Sequence, residues 1–452
     1  MNQAINHSQL NELRSGLACP VLADNDPDYE AARHIWNGMI DRKPSLIVRP
    51  SSITDVMHAI RFVREHRLPL TIRGAGHSVA GKSVADGAVM IDLSRMRDIQ
   101  VDAGRRSVVV QGGATWGDLD HEAETYGLAT TGGVISSTGV CGLTLGGGLG
   151  WLMGKHGLSC DNVLSADLVS AEGQHVQVSA TQNEDLFWAI RGGGGNFGII
   201  TALEFRLHSL ESVEGGVLLY PRAAAFDLLR QYRDITRNAP DELTAYAALL
   251  TGHGAPLAAV AMCHCGDRAQ AAGAAKQFHL ADAPVADMMG EKKYTEIQTM
   301  LDFTAPAGAH YYFKCPFLRE LTDDAILALI DGAASAPTEQ TQVIIEHMHG
   351  VASRVAPTDT AFGLRRVHYS VNIVASWTDP AMTEQCIAWA RGLSARMESF
   401  GGSDSYVNYL GDDGAEAVKA SYGVNYERLA QLKEKFDPSN LFCSNQNIAP
   451  AH

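Results

Sequence analysis

The chain has 452 residues, 46% of them hydrophobic and 19% charged, with a formal net charge of −15. That length exceeds one ordinary core and calls for two or three domains. The acidic balance argues against a nucleic-acid backbone or an anionic membrane surface as partner, since both select basic surfaces. The opening MNQAINHSQLNELRSG lacks the apolar core of a secretory signal, and no run approaches the ~18 apolar residues of a membrane span. Eight scattered cysteines without framework spacing suit a reducing compartment. The expected location is the cytoplasm.

In chain order, 45–48 is a short apolar run ended by Pro50, and 51–65 (SSITDVMHAIRFVRE) predicts a helix with hydroxyl caps. A strand at 70–72 enters a glycine loop, a second at 88–93 follows the Asp86-Gly87 turn, and 101–111 reads as a hairpin. Glycine is dense from 112 to 198, in runs at Gly132-Gly133, Gly146–Gly148 and Gly192–Gly195. Residues 200–207 alternate like a strand. From about 212 the texture changes to alanine-rich helices (221–237, 267–280, 322–334) and alternating strands (244–250, 257–263, 311–317, 341–349, 367–374). This predicts a separate domain of sheet plus helices. The end, 421–450, holds one helix and an extended, asparagine-rich tail. The fold class is α+β.

Two nucleotide motifs occur out of context. Gly76 to Ser83 fits the P-loop pattern, but that mechanism needs a helix to begin at the lysine, and Lys82-Ser83 runs through Val-Ala-Asp-Gly into a strand. Gly193-x-Gly195-x-x-Gly198 fits the dinucleotide fingerprint, yet a helical stretch precedes it and a strand follows, the reverse of the required order.

Several loops nevertheless suit a flat, anionic cofactor. In Arg73-Gly74-Ala75-Gly76-His77-Ser78 small residues free consecutive backbone N–H groups for an anion nest, with Arg73 and Ser78 as added donors to a pyrophosphate. Residues 131–148 offer a second wall, with the hydroxyls of Ser136, Ser137, Thr138 and Thr144. The competing reading is tight turns between packed strands. Three such loops within 130 residues favour a cofactor.

RGAGHS, GVCGLTLGGGLGWLMGKHGLSCDN, RGGGGNFGI and the closing YGVNYERLAQLKEKFDPSNLFCSNQNIAP together resemble the FAD-linked oxidases of the berberine-bridge-enzyme type, within the vanillyl-alcohol-oxidase superfamily. Within that type the chain resembles the bacterial branch that includes 6-hydroxy-D-nicotine oxidase. The resemblance covers roughly 36–452. It implies a PCMH-type FAD-binding domain over 1–209, completed by 406–452, with a substrate domain at 210–405 made of an antiparallel sheet covered by helices. It implies that His77 bonds covalently to the 8α-methyl carbon of the isoalloxazine, which a neutral imidazole is nucleophilic enough to do. It places the cofactor against Arg73, Gly74, Ala75, Gly76, Ser78 and Gly81; Ser136, Thr138, Gly139, Gly142, Thr144 and Gly147; Gly195, Asn196, Gly198 and Ile200; and Asn445 and Asn447. Many relatives add a bond from a cysteine. Counted back from Gly146–Gly148 that residue falls near Ile135 or Ser136, about six positions before Cys141. A single linkage is expected, with Cys141 a small apolar filler.

On the substrate side, Ser405-Tyr406-Val407-Asn408-Tyr409 matches the segment that supplies a tyrosine base in several relatives, which puts that role on Tyr409. A phenol needs a nearby cation or donor to act as base at neutral pH; the alternative is that Tyr406 and Tyr409 pack between domains. Strand alternation at 310–314 places His310, Tyr312 and Lys314 on one face and Tyr311 and Phe313 on the other. One face lines the substrate cavity, and Lys314 is a candidate to orient an anionic substrate or tune the flavin, or else a solvated strand charge. His347, His349 and Cys263-His264-Cys265 are too few for a metal centre, and no metal is expected. The expected protein oxidises a small organic molecule (alcohol, sugar, amine or phenol) with O2 as acceptor, as a monomer or homodimer. A dehydrogenase with another acceptor, a flavin-holding protein without turnover and a P-loop NTPase stay open.

Overall fold

Residues 5, 7–402, 404–411 and 413–451 are described in the computed structural model. A four-stranded sheet comes first, ordered Val21–Leu22, Leu46–Val48, Val89–Asp92, Leu70–Arg73. Its last three strands are parallel. Leu46 to Val48 and Val89 to Ile91 are buried on both faces, which is why they read as continuous apolar runs. The helix Ile53–Glu65 links two of these strands. Ser52 caps it: its hydroxyl accepts from the Asp55 N–H while the Asp55 carboxylate accepts from the Ser52 N–H.

A five-stranded antiparallel sheet follows, ordered Ile99–Asp102, Ser107–Gln111, Ile199–Arg206, Val163–Val169, His175–Ser179. The glycine-rich stretch 112–162 leaves from its second strand and returns at Val163. It carries the helices Trp116–Glu124 and Val140–Leu145. Residues 82–88 hold no helix, so the P-loop pattern has no helix N-terminus behind it. The Gly193–Gly198 turn lies between the helix Glu184–Ile190 and the strand Ile199–Arg206, the reverse of a dinucleotide fold.

A ten-stranded, antiparallel sheet spans Val213 to Gly402. Helices Ala225–Thr236, Asp323–Ala334 and Thr383–Glu398 contribute to a core on one of its faces. Alternation sends Ala245, Ala247, Val343 and Ile345 beneath those helices and Tyr246, Gln342, Ile344 and Glu346 to the opposite face. The expected α+β class and helix-covered antiparallel sheet are found. Three details differ. Val213–Pro221 is a strand and Thr383–Glu398 a helix, neither read from sequence. The predicted strand 311–317 is two, His310–Lys314 and Phe317–Leu318, separated at Pro316, which has no N–H for a ladder.

After the helices Gly414–Tyr422 and Tyr426–Phe436 the tail returns to the first half of the chain: Ser444 Oγ donates to the Lys82 carbonyl at 2.9 Å. The eight cysteines are unpaired, seven of them buried. No helix among the described residues is long and apolar enough to cross a membrane.

Candidate functional site

A cavity of about 380 Å3 runs between the large sheet and the glycine loops, closed at one side by the C-terminal tail. One wall is the 74–79 turn after the strand Leu70–Arg73. Trp36 stacks on His77 at 4.3 Å and on Tyr311 at 3.9 Å, so one indole joins the glycine turn to the large sheet. Asn37 reinforces that joint, donating to the carbonyls of Val79 and Tyr311 and accepting from the Tyr311 N–H, each at 3.0 Å. The His77 ring lies half-buried with Nε2 3.1 Å from Ser137 Oγ. Burial lowers its pKa to about 4, so the imidazole is neutral at physiological pH.

The second wall comes from 133–142 and the short helix behind it. A Cβ at Gly142 would meet no atom within 4 Å, and one at Gly195 only Asn445 Nδ2 at 3.9 Å. These glycines face open cavity, space that a flat cofactor fills. Cys141 also reaches the cavity, but burial pushes its thiol up to about 12. The third wall joins the Gly194–Asn196 turn to the tail. Asn445 donates to the Gly195 carbonyl at 3.0 Å, and the Asn196 amide donates to Gln446 O and accepts from Ile448 N. On the cavity wall, buried Asn445 Oδ1 and the Ser83 hydroxyl are left without partners, available to a bound polar group, while Asn447 Oδ1, also unpaired, lies off the lining. An elongated cleft of backbone amides, open glycine faces and unpaired polar atoms fits FAD.

Of the cofactor residues expected, Gly74, Ala75, Gly76, His77, Ser78, Thr138, Gly139, Gly142, Gly195, Gly198, Ile200 and Asn445 line this cavity. Others stand behind it. Arg73 donates from Nη1 to the Ala32 carbonyl at 2.5 Å, while its buried Nε, 3.9 Å from Asp92, has no hydrogen-bond partner. Ser136 is held by Asp302 through N–H and hydroxyl, at 2.8 and 2.5 Å. The Thr144 hydroxyl returns to Val140 O at 2.7 Å. Gly81 and Gly147 are turns with φ of +66° and +119°, packed on Ile40 and Phe362, where a Cβ would collide. Asn196 is fully buried in the tail contact.

The substrate side needs two corrections. The Tyr311 and Phe313 face of the strand lines the cavity; Lys314 points the other way, paired with the Asp413 carboxylate in a separate pocket. It is not placed to orient a substrate. Tyr409 does reach the cavity, but burial and the charge of Glu346 raise its pKa, the opposite of what a phenolate base needs. Its hydroxyl donates instead to Glu346 Oε1 at 3.1 Å. Glu346, 4% exposed, is the group sequence reading missed. Burial raises its carboxyl to about 7, partly offset by Asn372, Tyr409 and Ser370; of these only Tyr409 attains hydrogen-bond geometry. His347 and His349 stack 5.1 Å apart, and no group of three or more His, Cys, Asp or Glu among the described residues is arranged to hold a metal.

Residues 44–179 match the FAD binding domain family and 405–449 the berberine and berberine-like family. An FAD-linked oxidoreductase of Dictyostelium discoideum is 33% identical over 99% of both chains. The (R)-6-hydroxynicotine oxidase of Paenarthrobacter nicotinovorans is 30% identical over 95% of this chain and 96% of its own. Among solved structures, 6-hydroxy-D-nicotine oxidase from Arthrobacter nicotinovorans superposes with a TM-score of 0.88 at 27% identity, covering 96% of this chain and 98% of that one. A berberine bridge enzyme variant bound to (S)-reticuline shares the fold, with a TM-score of 0.89 at 22% identity and 99% coverage of both. With its cleft, its glycine walls and these relatives, the chain belongs to the FAD-linked oxidoreductases of the berberine-bridge-enzyme type.

Proposed function

We propose that this enzyme holds FAD through a single covalent bond to His77 and oxidises a small organic molecule with Glu346 as the base. When bound, FAD takes up the two electrons and hydrogen of a substrate C–H bond, and O2 as final acceptor yields hydrogen peroxide. A neutral imidazole and a buried carboxyl on one cavity carry this reading. The imidazole is an unprotonated nucleophile. The Cys141 thiol is held protonated, and Ile135 on the cavity wall has no nucleophilic atom, which supports one bond rather than two.

Glu346, titrating near 7, accepts the proton of the substrate hydroxyl or amine, and the Tyr409 hydroxyl stabilises its charged form. Trp36, Tyr311 and Phe313 keep water from that end. The domains proposed are 1–209 with 406–452 for the cofactor and 210–405 for the substrate. An anaerobic titration tests the activity. An oxidised substrate bleaches the flavin, and air restores the colour with one equivalent of hydrogen peroxide. Recovery without peroxide would replace the oxidase with a dehydrogenase, and no bleaching by any alcohol, sugar, amine or phenol would remove the oxidation.

A further inference from the structure

Three polar atoms on the large-sheet wall have no hydrogen-bond partner: Glu346 Oε2, Asn372 Oδ1 and the Tyr246 hydroxyl. The three residues are only 3–4% exposed. They come from three neighbouring strands. Tyr246 is the cross-strand partner of Glu346, and Asn372 is the partner of Ile344, two residues along the same face. All three line the cavity. Buried polar atoms are normally paired, so a cluster left open towards a cavity is complementary to something that enters it.

Its chemistry is one-sided. An ionised carboxylate is only an acceptor. Asn372 leaves its carbonyl oxygen unpaired, which adds a second acceptor. The Tyr246 hydroxyl serves either way. Among the described residues no arginine lines the cavity, and the one lysine that does, Lys82, lies at the tail end, where Ser444 bonds its carbonyl. The large-sheet wall therefore offers acceptors, one negative charge and the rings of Tyr311, Phe313 and Tyr409, with no cation to balance an anion.

Resting on the reading of Glu346 as base, we infer that the site selects ring-bearing substrates that are uncharged or cationic and carry O–H or N–H donors, and that it rejects carboxylates and other anions. Unpaired acceptors reject a ligand without donors, and a buried carboxylate repels a second negative charge.

The test uses the flavin-loaded enzyme at pH 8 and four probes, followed by perturbation of the flavin absorbance: 4-hydroxybenzylamine, 4-hydroxybenzyl alcohol, 4-hydroxybenzoate and 4-methylanisole. The amine and the alcohol should bind, and the benzoate and the anisole on the order of 100-fold more weakly. Asn372→Leu, or Tyr246→Phe should the first not fold, should weaken the alcohol while leaving the anisole unchanged. Binding of the benzoate as tight as that of the amine, no response to either donor-bearing probe, or an alcohol affinity unmoved by both substitutions overturns the inference. A preparation without a flavin band fails the cofactor reading before any probe is added.

Discussion

In the proposed mechanism Glu346 carries the proton chemistry, and its surroundings set the pH at which it works. Burial raises its carboxyl from 4.5 to about 7, and only the ionised form accepts a proton. Turnover of a saturating substrate should therefore rise as pH increases through about 7 and level off above it. Glu346→Gln should lower kcat by about 10²- to 10⁴-fold, the usual worth of a positioned general base, and abolish that rise; a variant with the parent's pH profile would assign the base elsewhere. The residue was legible in principle. In QTQVIIEHMHG it is the one carboxylate of an apolar strand, on the face of Gln342 and Ile344. His347 and His349 beside it are more conspicuous in the sequence, because imidazoles advertise chemistry by type while a buried carboxylate does so only through its environment. The motif brings Tyr409 to the cavity, but the raised pKa that disfavours it as a base depends on burial and on a neighbour 63 positions away in sequence.

Elements show the same division. The strand His310–Lys314 followed from alternation, but which of its faces meets the cavity depends on the large sheet packing against the glycine loops. Thr383–Glu398 went unread because its buried positions, Cys386, Ala390, Leu393, Ser394 and Met397, include too few strongly apolar side chains to mark a helical stripe. Two lysines separate a peripheral pair from a structural one. Lys433, fully buried, donates to Asn196 O, Phe442 O and Asp437, and Asp437 accepts the N–H groups of Leu441 and Phe442. That knot holds the tail against the Gly194–Asn196 turn. Lys433→Met should cost about 3–5 kcal/mol, as for any buried pair stripped of one partner. Lys314→Ala, at a partly exposed pair, should cost about 1 kcal/mol or less and leave flavin content unchanged. Denaturant unfolding of the two variants checks the order, and equal losses would contradict it.

The two halves share one apolar core, in which Trp116, Trp151 and Phe205 cluster with Tyr246, Cys263 and Ile297, and buried polar contacts between the cofactor loops and the large-sheet half add to it. Asp120, on the helix Trp116–Glu124, accepts from Gln298 Nε2 at 2.7 Å, and the same amide reaches the Gly133 carbonyl on the cavity wall at 3.2 Å. Burial raises Asp120 from 3.8 to about 7. A raised carboxyl keeps its proton in the folded chain and loses it in the unfolded one, so stability falls as pH climbs from about 4 to about 7, by up to about 4 kcal/mol. Asp120→Asn should match the parent near pH 4 and melt several degrees above it at pH 8; melting curves that stay parallel across that range would refute this. At this scale the sequence was most informative through its family resemblance, because four motifs spread between Arg73 and Pro450 meet in one cleft that no local pattern describes. Trp36 and Asn37, which join the halves, had no such signature.

Acid precipitation of the purified protein probes the tether itself. Trichloroacetic acid should leave a yellow pellet whose only flavin-bearing peptide contains His77, and His77→Ala protein should give a colourless one. Flavin released into the supernatant by the parent protein, or still attached in the His77→Ala variant, would contradict the single histidyl linkage.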